Sequence, residues 1–426
     1  MRKTALTAAA AALLTAGLQA PAWAAAPDAP TDVTIAWADS STVKVTWVDT
    51  DLANSLYWQQ PGGAEVKLVD IVSTAANEYL FPVTVFPKNL DKAKLIVKSS
   101  TADGLSDPAP SPEFDTFIPA APVLQDANLT ANLSTALKWT QAATADATPN
   151  DPLDGPAHEG IEVTAVRPDG NTESVGTYDA GTTSATVAPQ PRPTTLTLSS
   201  TSPWGKAKGA KTVKLGTLTS GMTVPASALY SNRLAIKSWL FIHSTGNIVE
   251  RASGIPVELQ ARAKSTDAWK TWGRYSGNTT AAFDTGIASL GNRQYRLWVP
   301  ARKVVSSNII FLTPAASTGV KSSKTLVKIV SGGFSPTVTR PGARWTFSLK
   351  VLPAVTVRGT WQYWNWNTNT WYSDGQLQIT KGSYYYRSDP DSELGTIRLR
   401  VVVPTVVVNG LTVNANTSPG YNQTVR

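Results

Sequence analysis

The chain has 426 residues, no cysteine and 2 histidines, with 38 lysines and arginines against 30 aspartates and glutamates. A cysteine-free chain excludes a disulfide framework, thiolate metal sites and cysteine nucleophiles. Its formal charge of +8 hides an uneven distribution: residues 25–218 carry 13 basic and 22 acidic side chains, residues 219–426 carry 23 and 8. An acidic half of net −9 is therefore joined to a basic half of net +15.

Arg2 and Lys3 precede an apolar stretch from Ala5 to Leu18, followed by Ala22-Trp23-Ala24. A basic start, a short apolar core and an A-x-A site predict a secretory signal peptide over residues 1–24, cleaved after Ala24. The stretch is shorter than the roughly 20 residues of a transmembrane helix, and no later segment is long and apolar enough to span. The expected product is a soluble extracellular protein with no membrane span. About 400 mature residues at roughly 100–150 per domain predict three or four domains.

Short alternating runs dominate from there. Val33, Ile35 and Trp37 alternate with polar residues, and so do Val43, Val45 and Trp47. Leu137 and Trp139, then Ile161, Val163 and Ala165, repeat the pattern. Period two with β-branched and aromatic residues predicts strands with one buried face, and Pro and Gly mark the turns between them.

The segment APDAPTDVTIAWADSSTVKVTWVD from Ala26 resembles the first two strands of a fibronectin type III domain, with Trp47 at the buried Trp of strand B. LIVKSSTADGLSDPAP from Leu95 resembles strand F and its turn into strand G. A second copy enters at IPAAPVL from Ile118 and places Trp139 in strand B. Its LTLSSTSPWGKAKGA matches the first copy at a spacing of 101, with Gly104 on Gly205. Ala93 and Thr194 stand where the family usually has a Tyr, so the tyrosine corner is missing. The resemblance covers about 25–218 and implies architecture alone.

The second half contains a longer internal match. GNRQYRLWVP from Gly291 and GTIRLRVVVP from Gly395 lie 104 residues apart, and Gln260 and Trp269 face Gln362 and Trp371 at a spacing of 102. A repeat of that length is one small β domain. The pattern resembles the immunoglobulin-like repeats of secreted actinobacterial proteins. The predicted fold is all-β: four tandem antiparallel β-sandwiches. Domains are expected over 25–118, 119–218, 219–319 and 320–426, each boundary falling in a Pro-, Gly-, Ser- or Thr-rich connection.

The repeat also orients an aromatic strand. Val257, Leu259 and Ala261 alternate with Glu258, Gln260 and Arg262, so the odd positions should face the core. Carried over by 102 residues, Trp361 and Tyr363 point inward, while Gln362, Trp364 and Trp366 point outward. Trp364 and Trp366 would stand about 7 Å apart, two strand rises. Rings at that spacing suit stacking on sugars, or on bases. With Trp371 and Tyr372 they form the candidate ligand-binding set. The competing reading is that these rings are core or domain interface, since a one-residue slip inverts the faces. Tyr384, Tyr385 and Tyr386 follow one segment later.

No catalytic constellation stands out. His158 lies in a Pro-rich acidic loop and His243 in an apolar strand, so neither is placed as the base of a triad. HExxH, GxSxG and the P-loop are absent. Asp389, Asp391 and Glu393 alternate in SDPDSELG but lack the Gly and the bidentate Glu of an EF-hand, and read as a solvated turn. The acidic loop NDPLDGPAHEG from Asn150 reads the same way. No enzyme, metal or cofactor is expected. The expected role is a secreted binding or adhesion protein whose basic, aromatic C-terminal pair contacts extracellular polysaccharide or an anionic wall polymer. Basic positions scattered along strands, with no nucleic-acid motif, argue against nucleic acid. The alternative is a structural or protein–protein interaction module of a secreted assembly.

Overall fold

The computed structural model describes residues 25–144, 146–154, 159–245, 249–250, 254–278 and 282–426. The leader expected over residues 1–24 and His158 lie outside them. Strands make up 58% of the described residues. Among the described residues no helix is long and apolar enough to cross a membrane.

Period two becomes burial directly. In the strand Thr42–Val48 the side chains of Val43, Val45 and Trp47 are buried, and Val33 and Ile35 meet them from Thr31–Asp39. With Glu78–Pro82 these strands form one sheet of sandwich one. Val66–Ile71, Ala53–Gln59 and Lys94–Thr101 form the other. Sandwich two repeats both layers. Val123–Leu129, Thr135–Thr140 and Ser184–Val187 face Thr172–Asp179, Gly160–Val166, Thr194–Ser202 and Thr212–Leu215, and Trp139 is fully buried between them.

Sandwiches three and four share another order. In three, Ser227–Leu229, Lys321–Leu326, Arg293–Val299, Pro256–Arg262 and Lys270–Ser276 lie side by side. In four the matching series is Val338–Thr339, Tyr421–Val425, Gly395–Val403, Val357–Asn365 and Thr370–Ile379. Each sandwich has its own buried cluster. The expected start of the last unit at Val320 is displaced, because Lys321–Leu326 pairs with Arg293–Val299 and completes sandwich three. The connection falls at Val327, which enters the fourth core.

The junctions are built, not slack. Trp204, on the turn after Thr194–Ser202, leaves sandwich two and enters the core of sandwich one. Its ring lies 6.4 Å from Phe114 at 16°, 6.2 Å from Phe86 edge-on and 5.2 Å from Trp37. The Trp37 indole N–H donates to the Leu153 carbonyl at 2.8 Å across the same junction.

Between two and three the sheet itself is continuous. Thr212–Leu215 pairs in parallel with Ile309–Thr313, Val213 opposite Ile310 and Leu215 opposite Leu312. Ile310 and Leu312 sink into the second core, while Ile309 and Phe311 pack on the third. One strand serves two cores, which is why IIFLT is apolar at consecutive positions. Lys303 ties the joint by pairing with Asp126 and donating to the Asn128 side chain at 3.0 Å. The Lys303 ammonium donating to the Asp126 carboxylate holds that carboxyl below the usual range.

Between three and four, the hairpin Val406–Val408 to Leu411–Val413 reaches back. The Asn292 N–H donates to the Thr412 carbonyl at 2.8 Å, and the Asn414 amide donates to Asn292 Oδ1 at 2.9 Å. Gly291 is required here, since its φ is +149° and a Cβ would come 2.4 Å from that of Leu411.

Candidate functional site

The repeated Gln and Trp positions prove to be parts of one device. Gln260 and Arg296 are direct cross-strand partners in sandwich three, as are Gln362 and Arg400 in sandwich four. Arg296 Nε donates to Gln260 Oε1 at 2.8 Å, and Arg400 Nε to Gln362 Oε1 at 2.7 Å. Each guanidinium then covers the matching indole, 4.6 Å from the Trp269 ring and 4.3 Å from Trp371. Such contacts stabilise by about 0.5–1 kcal/mol each at exposed sites. The device roofs the outer sheet face, buries Gln260, and draws both arginine pKa values down by desolvation.

Sandwich four adds rings to this roof. Trp361 and Tyr363 do pack on the core, and Trp364 stands on the opposite face, where Arg398 lies 5.4 Å from its ring. Trp364 pairs across the hairpin with Trp371, their rings 5.2 Å apart. Trp366 differs from the expectation. The strand ends at Asn365, whose side-chain oxygen accepts the Asn367 and Thr368 N–H groups and starts a turn. Alternation lapses there, and Trp366 meets Trp364 edge-on at 6.4 Å and 80°, so the two rings make an angled cluster and not a flat platform. Trp366 is 54% exposed, while Trp364 and Trp371 are half-buried.

Tyr372 does not join this cluster. Next to Trp371 on one strand, it must point to the other face. It sits opposite Tyr363, with ring centroids 6.1 Å apart.

On that inner face an aromatic cleft of about 330 Å³ opens between the sheets. Trp345, Trp361, Tyr363, Tyr384 and Tyr386 line it, with Asp374 the acidic group among its lining residues. Burial raises the Tyr363 and Tyr384 phenols, Asp374 adding to the effect on Tyr363. Nothing in the sequence marks Trp345; it joins the cleft because the adjoining strand Thr346–Leu352 pairs with the tyrosine run Ser383–Arg387. Tyr384 and Tyr386 line it, Tyr386 at the exposed rim, and Tyr385 between them is the more exposed at 67%.

The remaining candidates are structural in setting. His243 Nε2 shares a 2.7 Å hydrogen bond with the Thr219 hydroxyl. Asp389 accepts from Arg344 at 3.4 Å, and Asp391 accepts the Glu393 N–H at 3.0 Å. In the acidic loop, Asp151 Oδ1 accepts the Leu153 and Asp154 N–H groups at 2.6 and 3.0 Å. Among the described residues, no group of three His, Asp or Glu is placed to hold a metal ion.

No family model matches the chain, and no curated protein matches it. Solved structures do. A tetra-tandem repeat from the extending region of a large adhesion protein is 12% identical, covering 92% of this chain and 98% of that one at a TM-score of 0.28. The two-domain fibronectin type III segment of chicken tenascin is 15% identical, covering 44% and 97% at 0.20. A bacterial ice-binding adhesin is 12% identical, covering 69% and 90% at 0.21. The described residues form antiparallel β-sandwiches, and likenesses at these identities and scores assign no family. Values this low say nothing about what the chain binds.

Proposed function

We propose that this is a secreted, non-catalytic binding or adhesion protein, whose fourth sandwich holds an extracellular polysaccharide or anionic wall polymer on its outer aromatic face. The observation that carries this reading is the Trp364–Trp366–Trp371 cluster with Arg398 and Arg400 among its rings. Exposed rings bind sugar faces, and the adjoining charges of a half carrying net +15 attract an anionic chain. We further propose residues 1–24 as the leader and the units as 25–118, 119–218, 219–326 and 327–426, the last boundary moved from 319/320 because Lys321–Leu326 pairs within sandwich three. The buried junctions favour a second reading, a stiff spacer within a secreted assembly.

Trp366→Ala in the full chain should weaken binding to wall or polysaccharide preparations by about 1–3 kcal/mol, the usual worth of a stacking ring. Stability should change by less than about 0.5 kcal/mol, because the side chain is exposed. Binding of the wild type should also fall steeply with salt. Retention unchanged by Trp366→Ala would remove the face from consideration. N-terminal sequencing of secreted protein should read from Ala25, and a retained Met1 would overturn the export reading.

A further inference from the structure

The repeat alignment places an arginine where its counterpart has an apolar residue. Arg293 corresponds to Ile397 at the spacing of 104. In Arg293–Val299 the alternate residues Arg293, Tyr295, Leu297 and Val299 are all buried, so Arg293 occupies an inward position. It is 8% exposed, and its Nη1 is buried with no hydrogen-bond partner. The guanidinium centre lies 3.7 Å from the centroid of the Trp272 ring. A buried guanidinium left without an acceptor is costly, and such a charge is ordinarily paired.

Arg293 lines a cleft of about 440 Å³ at the junction of sandwiches three and four. Arg262 and Lys270 line it too, and Asp267 is the one acidic residue among its walls. Asp267 Oδ2 is engaged by the Lys264 N–H at 2.9 Å. The far wall is the turn Asn409-Gly410-Leu411 of sandwich four, whose Asn409 and Gly410 take φ of +50° and +75°. Arg262 is engaged by the Gln294 side chain at 2.8 Å and the Trp269 ring at 4.4 Å, so Arg293 and Lys270 against one acid, with an unsatisfied buried donor, describe a receptor for an oxyanion. At the matching place in sandwich four stand Tyr363, Asp374 and Ile397, all lining its aromatic cleft. The same position in the fold is thus basic in one copy and aromatic in the next.

The geometry points to a second binding site, in which Arg293 takes the carboxylate of an acidic sugar in the cleft between sandwiches three and four. The planar guanidinium fork matches a carboxylate. Trp272 offers a ring beside that group, and the cavity falls within the range of small-molecule sites, larger than a bare ion needs. The site stands apart from the Trp366 face, so the two readings fail separately.

The test is calorimetric titration of the full chain with an oligogalacturonate, its neutral counterpart and inorganic phosphate, for wild type, Arg293→Met and Lys270→Gln. The oligogalacturonate should bind the wild type at least tenfold more tightly than the neutral sugar or phosphate. Arg293→Met should lose tenfold or more, and Lys270→Gln a smaller share, while Trp366→Ala leaves this binding unchanged. Phosphate binding as tight as the oligogalacturonate would overturn the acidic-sugar assignment. Equal affinities of wild type and a folded Arg293→Met would overturn the site, and if Arg293→Met fails to fold, an unchanged affinity in Lys270→Gln does so.

Discussion

Trp204→Ala should destabilise sandwich one by about 3–5 kcal/mol, although the residue belongs to sandwich two. That is the usual cost of deleting a buried Trp, lost transfer energy plus a cavity that its surroundings fill only in part. Trp204 is 7% exposed and meets Phe86, Phe114 and Trp37, each itself part of or packed on the first core. Gly205 follows it with φ of +154° and so lets the turn lie against Ile118. Hydrogen exchange along Lys94–Thr101 should accelerate, and the earliest calorimetric transition should move down. Trp37→Phe is the milder companion: it keeps most of the ring area and loses the hydrogen bond to the Leu153 carbonyl. An unchanged first transition in Trp204→Ala would mean that the junction contributes nothing to the stability of sandwich one.

Cutting the chain at Leu218 should produce a C-terminal half that associates with itself. The cut follows the charge boundary, but it separates Thr212–Leu215 from Ile309–Thr313. Ile310 and Leu312 then lose the second core, at about 1.5–3 kcal/mol for each fully buried side chain. The strand also becomes an unpaired apolar edge, a template for pairing with another chain. Light scattering of residues 219–426 should show association. Adding residues 25–218 should suppress it, because the Lys303–Asp126 pair and the missing strand are restored. A monodisperse half with the melting temperature of the full chain would show that the shared sheet is dispensable. The shared strand is also why binding is best tested by point substitution in the full chain.

Within each sandwich the fold was legible because the central strands bury one face at every second residue. Val43, Val45 and Trp47 announce this as plainly as Val257, Leu259 and Ala261. What lay between units was not legible. Trp204 aligns with Asp103 of the first copy, and nothing in either segment says that the ring plugs a neighbour. Ile309 to Leu312 read as an apolar run, and only the pairing with Thr212–Leu215 reveals two cores sharing it.

The candidate site was legible in part. Register placed Trp361, Tyr363 and Trp364 on their observed faces, because the repeat fixed the alternation up to Asn365. Beyond Asn365 the turn frees Trp366 from that rule. Tyr372 was grouped with Trp371 by adjacency, where period two separates them. Arg293 could have been read from its alignment with Ile397, as a charge at a position its copy keeps apolar. The Gln–Arg–Trp roof shows that a repeated polar pair on an outer face need not be a ligand contact.

The strand Ile309–Thr313 also constrains how this gene can have grown. Arrays of beads lengthen by copying one bead, which works when each encloses its own core. A duplicate of sandwich three inserted behind itself would present Ile310 and Leu312 to a neighbour lacking the strand that receives them. Any recombinant that divides sandwiches two and three inherits an open seam at Thr212–Leu215 and Ile309–Thr313.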